Sequence, residues 1–289
     1  MKYLNAALVT LLLCLFSTHL YAQDTYELDE NYSIDASATL HLSSDDADVT
    51  IKGSDRDDVH LVVYHRVEVK GWKIKSDGKF QMEVEERGGD LYIREKSEES
   101  NRLIVGDIRE EYRITLDVPR NVALDINGDD DSYEISDINL AVRLDADDCD
   151  AEFRGMKGDD FDFDIDDGSI RMDEARGRLQ LKMDDGNMYV RQGDFSEIEA
   201  RYDDGELEVA TGLVDDGFYR FDFDDGDLEL RVASGGGTFD IEHDDVNLYT
   251  DKVFEEINSD EERSEYRLGR GKARVEIDTD DGTVSLRTI

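Results

Sequence analysis

An acidic pair recurs through the second half of this chain at nearly constant spacing, and that period constrains the fold more than any other feature. Taking the first acid as position zero, the pairs begin at Asp129, Asp147, Asp166, Asp184, Asp203, Asp224, Asp244 and Asp280, with Glu262-Arg263 as a degenerate copy before the last. Successive steps run from 18 to 21 residues. Self-similarity at this period marks a solenoid, because one unit cannot bury its apolar face alone and stacked units can.

Apolar residues keep the same register. Five, three and one positions before the pair stand Phe161, Phe163 and Ile165, then Leu179, Leu181 and Met183, then Tyr219, Phe221 and Phe223. Four and six positions after it stand Ile170 and Met172, Met188 and Val190, Leu228 and Leu230. Alternation with period two on both sides of a turn predicts two short strands per coil, each with one buried face. The expected fold is therefore all-β, a single-stranded parallel β-solenoid, with Phe163, Leu181, Phe221 and Leu228 in its core. A sandwich or barrel of hairpins accounts for the alternation but not for the same acidic signature at every second turn.

Upstream the repeat loosens. "HLSSDDADVTI" carries Asp45 and Asp46 in the coil pattern, and "MEVEERGGDLYI" keeps the apolar register without the acids. Residues 24–120 read as irregular lead-in coils and 121–289 as regular coils of one domain spanning 23–289, with 95–111 a loop. The first 22 residues, "MKYLNAALVTLLLCLFSTHLYA", have an early lysine, an apolar stretch and Ala22 before Gln23. That is the layout of a secretory signal peptide, too short for a comfortable membrane span. Cys14 follows three leucines rather than the small residue a lipid-attachment site wants. The expectation is an exported protein, periplasmic, cell-surface or secreted, with no membrane span in its mature form.

The formal charge of −41 repels nucleic acid and anionic lipid and attracts metal cations and basic surfaces. Strict apolar patterning argues against disorder despite that charge. After export only Cys149 remains, so no intramolecular disulfide can form. Cys149 stands where other coils place a turn glycine and reads as a dispensable substitute for it.

The run "YRITLDVPRNVALDINGDDDSYEI", an apolar strand ending at Pro119 and followed by serial strand–turn–strand units, resembles the DUF4097 family of exported β-solenoids, the "putative adhesin" and head-domain group. The resemblance covers roughly residues 35–289. It implies an extracytoplasmic β-solenoid without an assigned activity. Asp-Asp-Gly replaces the family's Ser/Asn-Gly-Asp style of turn, so nothing about the acids carries over from it.

Asp and Gly are ordinary turn residues. That explains the glycine and one aspartate of each turn, not two aspartates in nearly every coil. In register the carboxylates stand about 4.8 Å apart and repel, so the ladder must spread, take up protons or recruit cations. Two positions before the pair, Lys182 and Arg201 neutralise the middle coils, whereas the outer stretches around Asp164, Asp222 and Asp278 lack that relief. Asp164, Asp166, Asp167, Asp222, Asp224, Asp225, Asp278, Asp280 and Asp281 are therefore the candidate ligands for weakly held Ca²⁺, a hard cation that takes several oxygens. No cofactor is required by this reading, and the spacing is neither an EF-hand nor a nonapeptide calcium roll. The partners it leaves open are divalent cations, basic protein surfaces and cell-envelope components.

The chain contains no HExxH, GxSxG, phosphate loop or cysteine cluster. His243 ends a strand and reads as a core or cap residue. The enzymatic alternative is a β-helical polysaccharide hydrolase or lyase using paired acids. Such a site is built once, whereas this pair is written in almost every coil. The expected function is a non-catalytic structural or adhesive protein, with an accessory role in envelope stress sensing as a third class.

Overall fold

The structure is a computed structural model and describes residues 21–74, 80–97 and 103–289. Residues 1–20 of the expected signal peptide lie outside the described residues, as do 98–102 of the expected loop. Every element among the described residues is a strand, and no helix is long and apolar enough to cross a membrane.

The repeat forms the body. Strands β8 (Ala123–Asp129) and β9 (Asp131–Ser136) are separated at the acidic pair. In β10 (Val142–Arg154), β11 (Asp160–Asp173) and β13 (Phe218–Ser234) the strand instead runs on through it, and β12 (Arg176–Gly212) carries two repeats without a break. Each repeat pairs in parallel with the next: Phe163 stands over Leu144 and under Leu181, and Ile198 to Val209 lie against Tyr219 to Leu230. Burial alternates up to position −1, fails across the pair and glycine, and resumes at position +4. The chain thus turns a corner while its apolar side stays inside. Phe163, Leu181, Phe221 and Leu228 are all buried, as the register requires.

A second corner closes each coil. Asp137, Gly155, Glu174 and Gln192 all have left-handed φ, between 55° and 64°, at the repeat's own spacing. Ile138, Met156 and Ala175 follow three of them into the core. Its residue types vary too much for the acidic period to announce it.

The order of the last coils departs from the order of the sequence. Strand β17 (Ala273–Thr288) inserts between β13 and β14 (Gly237–Thr250), pairing in parallel with both. Asp281 therefore sits between Asp225 and Asp245 rather than after a Glu262 coil. Residues 262–263 form no coil: β16 (Arg263–Leu268) runs antiparallel to β14 and makes a hairpin with β15 (Phe254–Ser259). The glycine column explains the order. The coils with glycine at position +2, at 168, 186, 205, 226 and 282, are contiguous only if Gly282 stacks on Gly226. Ala47, Asp131 and Cys149 then lie toward one end and Val246 at the other.

At the opposite end β2 (Thr39–Asp45) and β3 (Asp48–Ser54) make one further coil, in register with β8 and β9. Beyond it the strands reverse. β6 (Asp90–Ser97) pairs in parallel with β2 and antiparallel with β5 (Phe80–Arg87). β7 (Leu103–Pro119) pairs in parallel with β3 and antiparallel with β4 (Asp58–Ile74), which pairs with β1 (Tyr21–Ser33). Residues 95–97 and 103–111 of the expected loop are thus strand, held by β5 and β4. Tyr26, Phe80, Tyr112 and His65 close this end, with ring centroids 3.9 to 5.3 Å apart in successive contacts.

Cys149 does not behave as a substitute turn glycine. Its side chain is buried in the core, and burial pushes its thiol up to about 12. It stands opposite Gly168 in register and adds volume to the core that glycine does not.

Candidate functional site

The corner places nine Asp-Asp pairs in one row: 45–46, 129–130, 147–148, 166–167, 184–185, 203–204, 224–225, 280–281 and 244–245. Asp148 faces Asp167, Asp204 faces Asp225, and Asp281 lies between Asp225 and Asp245. Asp166, Asp167, Asp224, Asp225, Asp280 and Asp281 are all exposed. Desolvation and then their acidic neighbours push up the carboxyls of Asp148, Asp166 and Asp281, in each case with an Asp of the adjoining coil as the strongest charge. The predicted ladder and its self-repulsion are both features of this edge.

The position two residues earlier differs from expectation. Asp164 is not without relief, because Lys182 of the next coil donates to it at 3.0 Å. Asp222 is met by Arg201 at 3.3 Å and Arg220 at 3.6 Å. The sequence reading assigned each cation to its own coil, whereas parallel stacking lends it to its neighbour. Asp278 alone of the three lies between two acids, Asp222 and Glu242, and its carboxyl is pushed up by desolvation and then by both of them. Among the described residues no group of three or more His, Cys, Asp or Glu is placed to hold a metal ion. The corner is a line of carboxylates, not a cage.

The four histidines among the described residues are held by local partners. His41 pairs with Asp125 at 2.7 Å and stacks on Tyr92, while His60 pairs with Asp29 at 2.8 Å. His65 pairs with Glu110 at 2.6 Å, and His243 meets Ser264 of the capping hairpin at 3.0 Å.

A second acidic group escaped the sequence reading. Asp131, at position +2 of its coil, points inward and is 4% exposed. Its carboxylate accepts from the Ala47 N–H at 2.6 Å, the Ser44 hydroxyl at 3.0 Å and the Tyr133 hydroxyl at 2.7 Å. Nearby Glu95 continues the inward parity of Leu91 and Ile93 and is only half-buried, with its carboxyl set against the buried Tyr112 hydroxyl. The third aspartate in "DDDS" was the available signal for Asp131. For Glu95 the signal was parity, since it stands two residues beyond Ile93 on the strand that carries Leu91.

Desolvation, then the Asp45 charge, pushes the Glu95 carboxyl up to about 7. A carboxyl whose pKa is higher folded than unfolded binds more protons in the folded state, so stability falls as pH rises between about 4.5 and 7. The shift corresponds to about 3 kcal/mol at most, and nearer 1–2 kcal/mol after solvent screening of a half-buried group. Denaturation midpoints at pH 5 and pH 8 are expected to differ in that direction, and Glu95→Gln is expected to flatten the difference. An unchanged profile in that variant would remove Glu95 as its source.

The chain matches the Toastrack DUF4097 family over residues 38–287. It belongs to the Toastrack family. The matched span takes in the regular coils and, apart from β1, the strands of the capped end. No curated protein matches the chain. Among solved structures, a "putative adhesin" from Parabacteroides distasonis is 10% identical with a TM-score of 0.41, covering 93% of this chain and 98% of that one. A "putative lipid binding protein" from the same organism is 13% identical with a TM-score of 0.28, covering 92% and 96%. A "putative cell adhesion protein" from Clostridium sporogenes is 8% identical with a TM-score of 0.29, covering 92% and 100%. Likeness at this level assigns no function to the Toastrack chain.

Proposed function

We propose that this chain is an exported, non-catalytic β-solenoid, structural or adhesive, whose acidic corner engages divalent cations or basic surfaces. In this reading each coil acts as two short strands hinged at its acidic pair. The observation that carries the reading is the in-register row of Asp-Asp pairs through nine coils, with raised carboxyls at Asp148, Asp166 and Asp281. Repulsion along one edge works against folding, and a chain that repeats the arrangement in every coil gains from it only if something cationic offsets it. Repetition also favours architecture over a polysaccharide hydrolase or lyase, whose acids act at one place.

Calcium is expected to raise the melting temperature by about 3 °C or more beyond sodium at equal ionic strength, since screening alone does not distinguish the two. Replacing Asp166, Asp167, Asp224 and Asp225 with Asn keeps the turn chemistry and removes charge. That variant is expected to melt higher than the parent without calcium and to gain less from it. Equal shifts in the two salts would leave the row as a solvated face and nothing more. A saturable gain abolished by Asp278→Asn alone would instead favour one discrete site and the enzyme reading.

A further inference from the structure

The solenoid has four sheet ends, two at each end of the stack, and three of them are covered by antiparallel strands. β5 lies outside β6, β4 and β1 lie outside β7, and β16 with β15 lies outside the first half of β14. The fourth end is bare. β14 pairs with β17 along Gly237–Thr250 but with β16 only along Gly237–Glu242, and the last bond on that side is His243 N–H to Glu262 O at 2.9 Å. Among the described residues, 244–250 have a strand on one side only.

The inward face of this segment is correspondingly unfinished. Val246 and Leu248 are only half-buried, while Val284, directly beneath Leu248, is fully buried. Tyr249, Val253 and Ile257 are each more than half exposed, three of the four large apolar side chains so exposed among the described residues. An unpaired strand with exposed apolar side chains is a template for another strand. Here it is surrounded by charge of one sign, since residues 242–262 contain nine acids and one base, Lys252.

That charge selects the occupant. A second copy joined end to end would set this acidic segment against its own equivalent. Joined head to tail, it would meet β1, which carries four acids and no base, or β5, with three acids and one arginine. Both arrangements bring acid against acid. We propose that residues 244–250 of β14 are the docking edge for an extended segment of a partner protein that alternates apolar residues with lysine or arginine. It adds antiparallel, as the three existing caps do, and its apolar residues cover Val246 and Leu248. The inference does not depend on cations binding at the corner.

A fluorescein-labelled peptide of alternating lysine and valine, nine residues long, tests this by anisotropy against the full mature chain in 150 mM NaCl. The expected result is saturable 1:1 binding, with at least tenfold weaker binding of the glutamate–valine counterpart. Two further copies are N-methylated, one at every lysine and one at every valine. A strand bonded along one edge uses the N–H groups of alternate residues only. One copy is therefore expected to lose at least tenfold and the other to bind like the parent peptide. Leu248→Lys is expected to weaken binding at least tenfold, and Asn at Asp166, Asp167, Asp184 and Asp185 to leave it unchanged. If Leu248→Lys does not fold, the N-methyl pair decides the matter on the unaltered protein. Equal binding of all three basic peptides, or loss in the Asn variant, would overturn the proposal in favour of diffuse attraction to the acidic row. A dimer by light scattering that Leu248→Lys abolishes would overturn it in favour of a second copy.

Discussion

Phe221→Asp is expected to destabilise the protein by at least about 4 kcal/mol, enough to leave much of it unfolded at room temperature. Phe221 is fully buried on β13 and stacks between Ala200 and Ile277 in the adjoining coils. The small Ala200 beneath it makes room for the ring, so no neighbour can fill the space or solvate a carboxylate. Phe221→Ala is expected to cost about 3–5 kcal/mol, because the new cavity would open onto another alanine. Arg220, one residue earlier, faces outward toward Asp222 at 3.6 Å, and Arg220→Ala is expected to stay within about 1 kcal/mol. Urea denaturation of the three variants measures this contrast, and similar losses at 220 and 221 would reverse the assignment of faces. The same position tests the coil order. Phe221→Leu and Ile277→Val are expected to be non-additive, as residues in contact are. Phe221→Leu with Ile241→Val is expected to couple less than that pair, because β17 separates those two strands and they meet only through Ile277.

The period made the coil legible, and the coil made the core legible. Phe163, Leu181 and Leu228 could be placed because alternation, turn and repeat all gave one register. What a period does not encode is adjacency. β17 carries the apolar pattern of an interior coil, with Val275, Ile277, Val284 and Leu286 buried, and strands flank it on both sides. β14 has Val246 where the five contiguous coils beneath it have glycine, and it stands last. That departure from glycine was visible in the sequence, yet only contact between carbonyls and glycines of successive coils gives it meaning. The acidic row was legible for the same reason as the core. The relief of Asp164 by Lys182 was missed because that salt bridge runs between coils, 18 residues apart in sequence. The Asp131 group is built once, where the β2–β3 corner meets Asp131 and the Tyr133 hydroxyl, so no repeat announces it.

The glycine column supplies the other large effect. Gly205 has φ of 126°, which L-residues rarely adopt, and a Cβ there would lie 1.8 Å from the Gly186 carbonyl oxygen and 2.9 Å from its carbon. Those atoms are backbone, held in the ladder that joins the two coils, so neither can turn aside as a side chain would. Gly205→Ala therefore requires the corner to open and the strain of the left-handed φ to persist, at an expected cost of about 2–4 kcal/mol. Gly226 occupies the same position one coil on, but its φ is not positive and its nearest obstacle is 2.9 Å away. Gly226→Ala is expected to cost less than half as much. The difference isolates backbone crowding from the chemistry of the Asp-Asp pair, which both corners share. Equal and small losses at 205 and 226 would mean that glycine recurs only as a convenient turn residue. A loss confined to Gly205 would show that the column is what lets the acidic corners stack closely enough for their carboxylates to form one row.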